Sequence, residues 1–226
     1  MTLTEPVVTA AIPVRDGEAY LAEAIESVLA QSRPCEQLIV VDNGSTDRSA
    51  EIARGYGAAA EVVFEPRAGV GSARNAAMRA ARGTHIAFLD ADDLWDPAKI
   101  ALQLAAFDAD PALQLAFGHV RQIASPGLAA EGLRIPAGPQ PGLHLGAMLA
   151  TRSAIEAIGP WPDVQISDGL NFMLRARELG LKQTMLPQTV MLRRVHGENH
   201  SIRNRGERAE FARLLKQSLD RRRATP

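Results

Sequence analysis

The chain has 226 residues, 46% hydrophobic and 23% charged, enough apolar material for one generous globular domain. With 25 basic against 26 acidic residues the formal net charge is -1, which argues against nucleic acid or an acidic polymer as partner. A single cysteine, Cys35, excludes an internal disulfide framework. No eighteen-residue apolar run occurs, and Met1 to Pro6 lacks the basic-then-apolar order of a leader, so a soluble, cytoplasmic protein is expected.

Pro6 to Pro13 holds a short apolar run of the kind buried parallel strands show, and Leu21, Ala24, Ile25, Val28 and Leu29 then recur at helical spacing. Gln37 to Val41 is a second apolar run, broken by Asp42 to Asp47 before a helix over Arg48 to Arg54. A third strand is expected at Ala60 to Phe64, an alanine-rich helix at Gly71 to Ala81, a fourth strand at Thr84 to Leu89 and a helix at Pro97 to Asp108. This alternation predicts right-handed crossovers and a mainly parallel sheet covered on both sides, with the loops after strands one, two and four on one edge.

Beyond Asp108 the rhythm changes. Residues 125 to 142 are thick with Pro and Gly and read as a long loop or lid. Helices are expected at Arg152 to Ile158 and Asp168 to Leu179, and a strand at Gln188 to Val195. A last helix over Gly206 to Arg222 sets Phe211, Leu214, Leu215 and Leu219 on one face. From Arg203 to Arg223 it is basic, with a solvated helix and contact with anionic lipid as its two readings.

The fourth strand ends by presenting Asp90, Asp92 and Asp93 at the rim of the sheet, a place to hold a hard divalent cation such as Mg²⁺ or Mn²⁺. The plainer reading is an acidic turn before the next helix, with Asp96 as its N-cap. An EF-hand starting at Asp90 fails, because its sixth and twelfth positions are Trp95 and Ala101. No Gly-rich loop ending in Gly-Lys-Ser/Thr supports a nucleoside triphosphate site.

An ordered set of short motifs resembles the family 2 glycosyltransferases, enzymes of the GT-A fold that use nucleotide-activated sugars. The set comprises Pro13-Val14-Arg15-Asp16, Ser27 to Gln31, Val41 to Asp47, Ala73-Arg74-Asn75 and Phe88 to Asp93, and a thinner match continues over residues 146 to 202. The resemblance implies an α/β three-layer sandwich with a mainly parallel central sheet. It divides the chain into a donor-binding half over 1 to 108, an acceptor half of the same domain over 109 to 205, and the C-terminal helix over 206 to 226.

The implied activity is metal-dependent, inverting transfer of a sugar from a nucleoside diphosphate donor, a UDP-sugar first among them, to an acceptor hydroxyl, with Mn²⁺ or Mg²⁺ as cofactor. Asp42 and Pro13 would meet the base, Asp90 the ribose or donor sugar, and Arg74 the phosphate or sugar hydroxyls. Asp92 would hold the metal on the diphosphate, with His196 of Arg194-Val195-His196 as a further metal ligand or diphosphate contact. Asp168, in the place of the family's acidic pair, would be the general base.

The chain departs from the family at Arg15-Asp16, where Tyr-Asn is usual, at Asn43, where Asp is frequent, and at Ser167, where Glu is usual. A sugar nucleotidylyltransferase and a catalytically silent nucleotide-sugar binding protein are the competing readings. The membrane side of the C-terminal helix would place the protein peripherally at an inner membrane face.

Overall fold

The computed structural model describes residues 6–125, 135–162, 168–196 and 216. The first half follows the expected alternation: β1 (Val8–Val14), α1 (Leu21–Leu29), β2 (Gln37–Asp42), α2 (Ser49–Gly55), β3 (Glu61–Phe64), α3 (Val70–Ala80) and β4 (His85–Phe88). After β4 come a two-residue strand β5 (Leu94–Trp95), α4 (Lys99–Ala109), β6 (Leu115–Ala124), β7 (Gln140–Gly142), β8 (Leu149–Thr151), α5 (Arg152–Ile158), α6 (Asp168–Glu178) and β9 (Gln183–Val195). The basic C-terminal helix expected from Gly206 lies outside the described residues apart from Lys216. Among the described residues no helix is long and apolar enough to cross a membrane.

The described strands form one sheet in the order β3-β2-β1-β4-β8-β6-β9-β5, with β7 paired to β6. β1 to β4 pair in parallel. β8 then enters antiparallel to β4 and β6, β9 runs parallel to β6, and β5 closes the edge antiparallel to β9. Side-chain alternation sorts this sheet into two cores. Val8, Ala10, Ile12, Leu38 and Val40 pack with α1, α2 and α4, while Ala11, Ile39 and Val41 pack with α3, α5 and α6. The result is a three-layer α/β sandwich.

Three local features differ from the sequence reading. β6 was hidden because Gly118, His119, Arg121 and Gln122 interrupt its apolar pattern; it is nonetheless the long partner of β9. A Cβ at Gly118 would come within 2.5 Å of Val190 Cγ1, so the glycine that masks the strand is what lets β9 lie against it. The Pro/Gly-rich stretch ends in β7 rather than remaining wholly a loop. Asp96 is a turn residue, not the N-cap: its Oδ1 accepts from Ala98 N at 2.9 Å, and α4 begins at Lys99.

Candidate functional site

Order reverses at β1. The chain steps outward through β2 and β3, then returns to place β4 on the other side of β1, so a crevice is expected beyond the C-terminal ends of β1 and β4. Pro13 helps to open it. Ala11 O accepts Leu89 N on the β4 side and Val14 O accepts Asn43 N on the β2 side, so strand alternation turns Pro13 toward β4. Having no N–H, Pro13 cannot extend the ladder past Leu89, and the two strands part there.

The loops after β1 and β2 are cross-tied. Asp16, with φ of 52°, is the described non-glycine residue in the left-handed region, a conformation Asp and Asn tolerate better than most. Its N–H donates to Ser45 Oγ at 3.1 Å, and its Oδ1 accepts from Thr46 N at 2.7 Å. Glu18 N donates to Asp47 Oδ2 at 2.9 Å, and Glu18 Oε2 accepts from Arg48 N at 3.1 Å. Ser45 and Thr46 therefore serve this inter-loop lock rather than cap α2; Asp47 Oδ1 accepts from Ser49 N at the helix start instead.

Asp42 ends β2 buried, with Oδ1 accepting from Ser45 N at 3.0 Å, a bond that uses one carboxylate oxygen. The next residue explains one departure from the family pattern. Buried Asn43 donates through Nδ2 to Glu65 O at 2.8 Å and Arg67 O at 2.7 Å, and accepts from Gly69 N at 2.8 Å. A carboxylate could not make both donations.

The loop that Asn43 pins leads into α3, which carries Arg74. That side chain is buried, not the surface helix residue its sequence position allowed, and its Nη2 donates to Asp90 Oδ1 at 3.1 Å. Burial pulls the guanidinium below its usual range, and the Asp90 charge opposes this. Asn75, the next residue, holds the backbone of Trp161 through Nδ2 to Trp161 O at 2.8 Å and Trp161 N to Oδ1 at 3.0 Å. Gly71, one turn earlier, lets Pro162 approach, since a Cβ there would stand 2.5 Å from Pro162 O. Trp161 and Pro162 are thereby held against α3. α6 opens on Asp168, whose side chain lies outside the described residues.

Asp92 and His196, 104 residues apart, meet because β5 pairs with β9. Leu94 faces Leu192 and Trp95 faces Met191, which sets Asp92 beside Arg194 and His196 just beyond. His196 Nε2 lies 2.9 Å from Asp92 Oδ2. A carboxylate oxygen and an imidazole nitrogen so placed suit Mn²⁺, and Mg²⁺ too is commonly held by few protein ligands plus phosphates and water, so the pair fits a divalent ion. Among the described residues no group of three His, Cys, Asp or Glu side chains forms a fuller cage.

Asp93 is bonded to the β9 backbone. It is buried, accepts from Arg194 N at 2.8 Å, and is pushed well above the usual carboxylate range by burial and then by the charges of Asp92 and Asp90. Sequence reasoning missed Arg194, Tyr20 and Glu23, which surround the pair.

The family model for glycosyl transferase family 2 matches residues 9–153. The uncharacterized glycosyltransferase EpsJ of Bacillus subtilis is 40% identical over 91 residues, 39% of this chain and 26% of that protein. Chondroitin synthase of Pasteurella multocida is 28% identical over 235 residues, 97% of this chain and 24% of the relative. The chain thus spans about a quarter of the length of each of these two relatives.

Among solved structures, S. aureus TarS 1-349 in complex with UDP-GlcNAc has a TM-score of 0.74 at 17% identity, covering 94% of this chain and 65% of that one. The mannosyltransferase PcManGT from Pyrobaculum calidifontis, in complex with GDP-Man and Mn²⁺, has a TM-score of 0.71 at 20% identity, covering 99% and 66%. These likenesses show the GT-A fold. Because the family model spans the parted strands, both cross-tied loops and the acidic end of β4, the chain belongs to glycosyl transferase family 2.

Proposed function

We propose that the protein is a metal-dependent, inverting glycosyltransferase that moves a sugar from a nucleoside diphosphate sugar, a UDP-sugar first among donors, to an acceptor hydroxyl. The observation that carries this reading is the 2.9 Å approach of Asp92 Oδ2 and His196 Nε2 at the edge where Arg74 pairs with Asp90. The complexes of TarS with UDP-GlcNAc and of PcManGT with GDP-Man and Mn²⁺ support the donor class and the ion.

Residues 1–108 form the donor half in this reading, residues 109–205 the acceptor half, and 206–226 an appended helix. Pro13 lines the crevice floor and Asp42 reads the imide edge of the base, a discrimination that an apolar wall cannot make. Asp90, oriented by Arg74, takes the ribose or donor-sugar hydroxyls, and the buried guanidinium adds positive charge beside the phosphates. Asp92 and His196 hold Mn²⁺ or Mg²⁺, which when bound offsets the charge that builds on the departing diphosphate. Asp168 accepts the proton of the acceptor hydroxyl as that oxygen attacks opposite the leaving group, so the anomeric centre inverts.

The test is donor turnover with purified protein, with Mn²⁺ and after chelation. Transfer or slow donor hydrolysis is expected only with the metal, and Asp92→Ala removes it. Equal turnover in EDTA would refute the metal dependence, and NMR showing a retained anomeric configuration would refute the single displacement. A protein that binds UDP-sugars yet neither transfers nor hydrolyses them is a silent binder.

A further inference from the structure

Tyr20 at the start of α1, Glu23 and Ser27 within it and Gln31 just past its end follow one another at intervals of three, four and four, the spacing that lines side chains along one helix face. All four grip the segments that bear the candidate metal ligands. Ser27 Oγ accepts from Trp95 N at 3.1 Å. Gln31 Nε2 donates to Asp96 O at 2.8 Å, while its Oε1 accepts from Ile100 N at 3.1 Å. These bonds fix the chain just after Asp92. Tyr20 and Glu23 work on the other ligand's strand.

Arg194 is the link. Its side chain is 7% exposed, its Nη2 donates to Glu23 Oε2 at 2.7 Å, and its Nε donates to Asp92 O at 3.2 Å. The guanidinium carbon lies 4.6 Å from the centre of the Tyr20 ring, and that ring lies 5.1 Å from the His196 imidazole at a tilt of 41°. Tyr20 is itself anchored, its hydroxyl sharing a hydrogen bond with Ser125 Oγ at 3.1 Å. A cation over a tyrosine face and an imidazole against the same ring restrict where His196 can turn.

We propose that Tyr20 and Arg194 are positioning residues that hold the His196 imidazole at Asp92, so that α1 forms the two-ligand metal site before a donor arrives. The inference rests on Asp92 and His196 being the metal pair. With so few protein ligands, the partners that orient each one carry a large share of the affinity.

The experiment is a Mn²⁺ titration followed by the EPR signal of free Mn²⁺ in the presence of UDP, with metal-free UDP binding measured alongside. Tyr20→Leu and Arg194→Met are expected to weaken Mn²⁺ binding about tenfold, the lower end of the range for such outer partners, without changing metal-free UDP affinity. Arg194→Lys, which keeps a cation over the ring, is expected to recover most of the loss. If His196→Ala weakens Mn²⁺ but Tyr20→Leu and Arg194→Met match the wild type, the positioning inference is wrong while the metal pair stands. If His196→Ala binds Mn²⁺ as the wild type does, the metal pair fails and the inference goes with it. Should Arg194→Met not fold, Tyr20→Leu decides.

Discussion

Asn43→Asp isolates a single structural claim, that this position needs an amide because two backbone carbonyls depend on it. The substitution keeps size and keeps an acceptor for Gly69 N, but it removes both donations, to Glu65 O and Arg67 O. Asn43 is 5% exposed and its bond to Glu65 O is buried, so water does not readily replace that one, whereas Arg67 lies at the surface. Leaving a buried polar group without its partner costs roughly 1–3 kcal/mol, and the buried Glu65 carbonyl alone puts the loss in that range, a large part of the 5–15 kcal/mol that holds a typical domain together.

The loss should depend on pH. Burial opposite two carbonyl oxygens raises the folded pKa of the new carboxyl above its unfolded value of about 3.9. Protonation restores one O–H donor, so the variant keeps the most stability below the unfolded pKa and loses it as pH rises through the folded one. Urea unfolding of both proteins at pH 4.5 and pH 7.5, followed by the fluorescence of Trp95 and Trp161, measures both effects. A difference under about 0.5 kcal/mol at pH 7.5, or one that does not shrink in acid, would refute the assignment of Asn43 as the pin of this loop.

Lys99 is fully buried, donating to Gln103 Oε1 and Met148 O over the Trp95 ring, and burial lowers its ammonium to about 7. Between pH 7 and 9 the unfolded chain binds that proton and the folded one releases it, so stability should climb by up to about 1.4 kcal/mol per pH unit. Cys35, pushed up to about 12, opposes this only above its ordinary 9.0. Lys99→Met should flatten the climb in urea titrations, and an unchanged slope contradicts the burial argument. Gly71→Ala should lower the melting temperature despite the better helix propensity of alanine, because the methyl meets the Pro162 carbonyl oxygen; an unchanged or raised Tm sinks it. Asp168→Asn should leave UDP affinity intact while cutting transfer by about 10²–10⁴, and full transfer would remove Asp168 from the mechanism.

The first half of the fold was legible because its strands are continuous apolar runs and its helices carry one apolar stripe, signals that local sequence alone produces. The second half was legible only in part: α5, α6 and the end of β9 show in the sequence, but β6 and β8 owe their existence to partners, and Gly118 and the polar residues of β6 become strand only against β9. The same division holds at the site. Asp90 and Asp92 announce themselves at a strand end, and the sequence motif pointed to His196. Arg194 stood in the sequence only as part of the His196 motif and nothing there marked Tyr20; the β5–β9 pairing sets Arg194 beside Asp92, and its guanidinium meets the Tyr20 ring. Arg74 shows the converse, a helix residue whose burial no helical periodicity could distinguish from exposure.

The short β5–β9 pairing also limits how this molecule can be cut. A fragment ending near residue 153, where the family model stops, would retain every candidate contact to the nucleoside but lose the imidazole that faces Asp92. It would also lose β9 and bare one side of β6. On the proposed assignment, shuffling front halves between relatives would move the base-reading residues and Asp92 but not the imidazole that faces Asp92, unless the strand ending in Val195 travels with them.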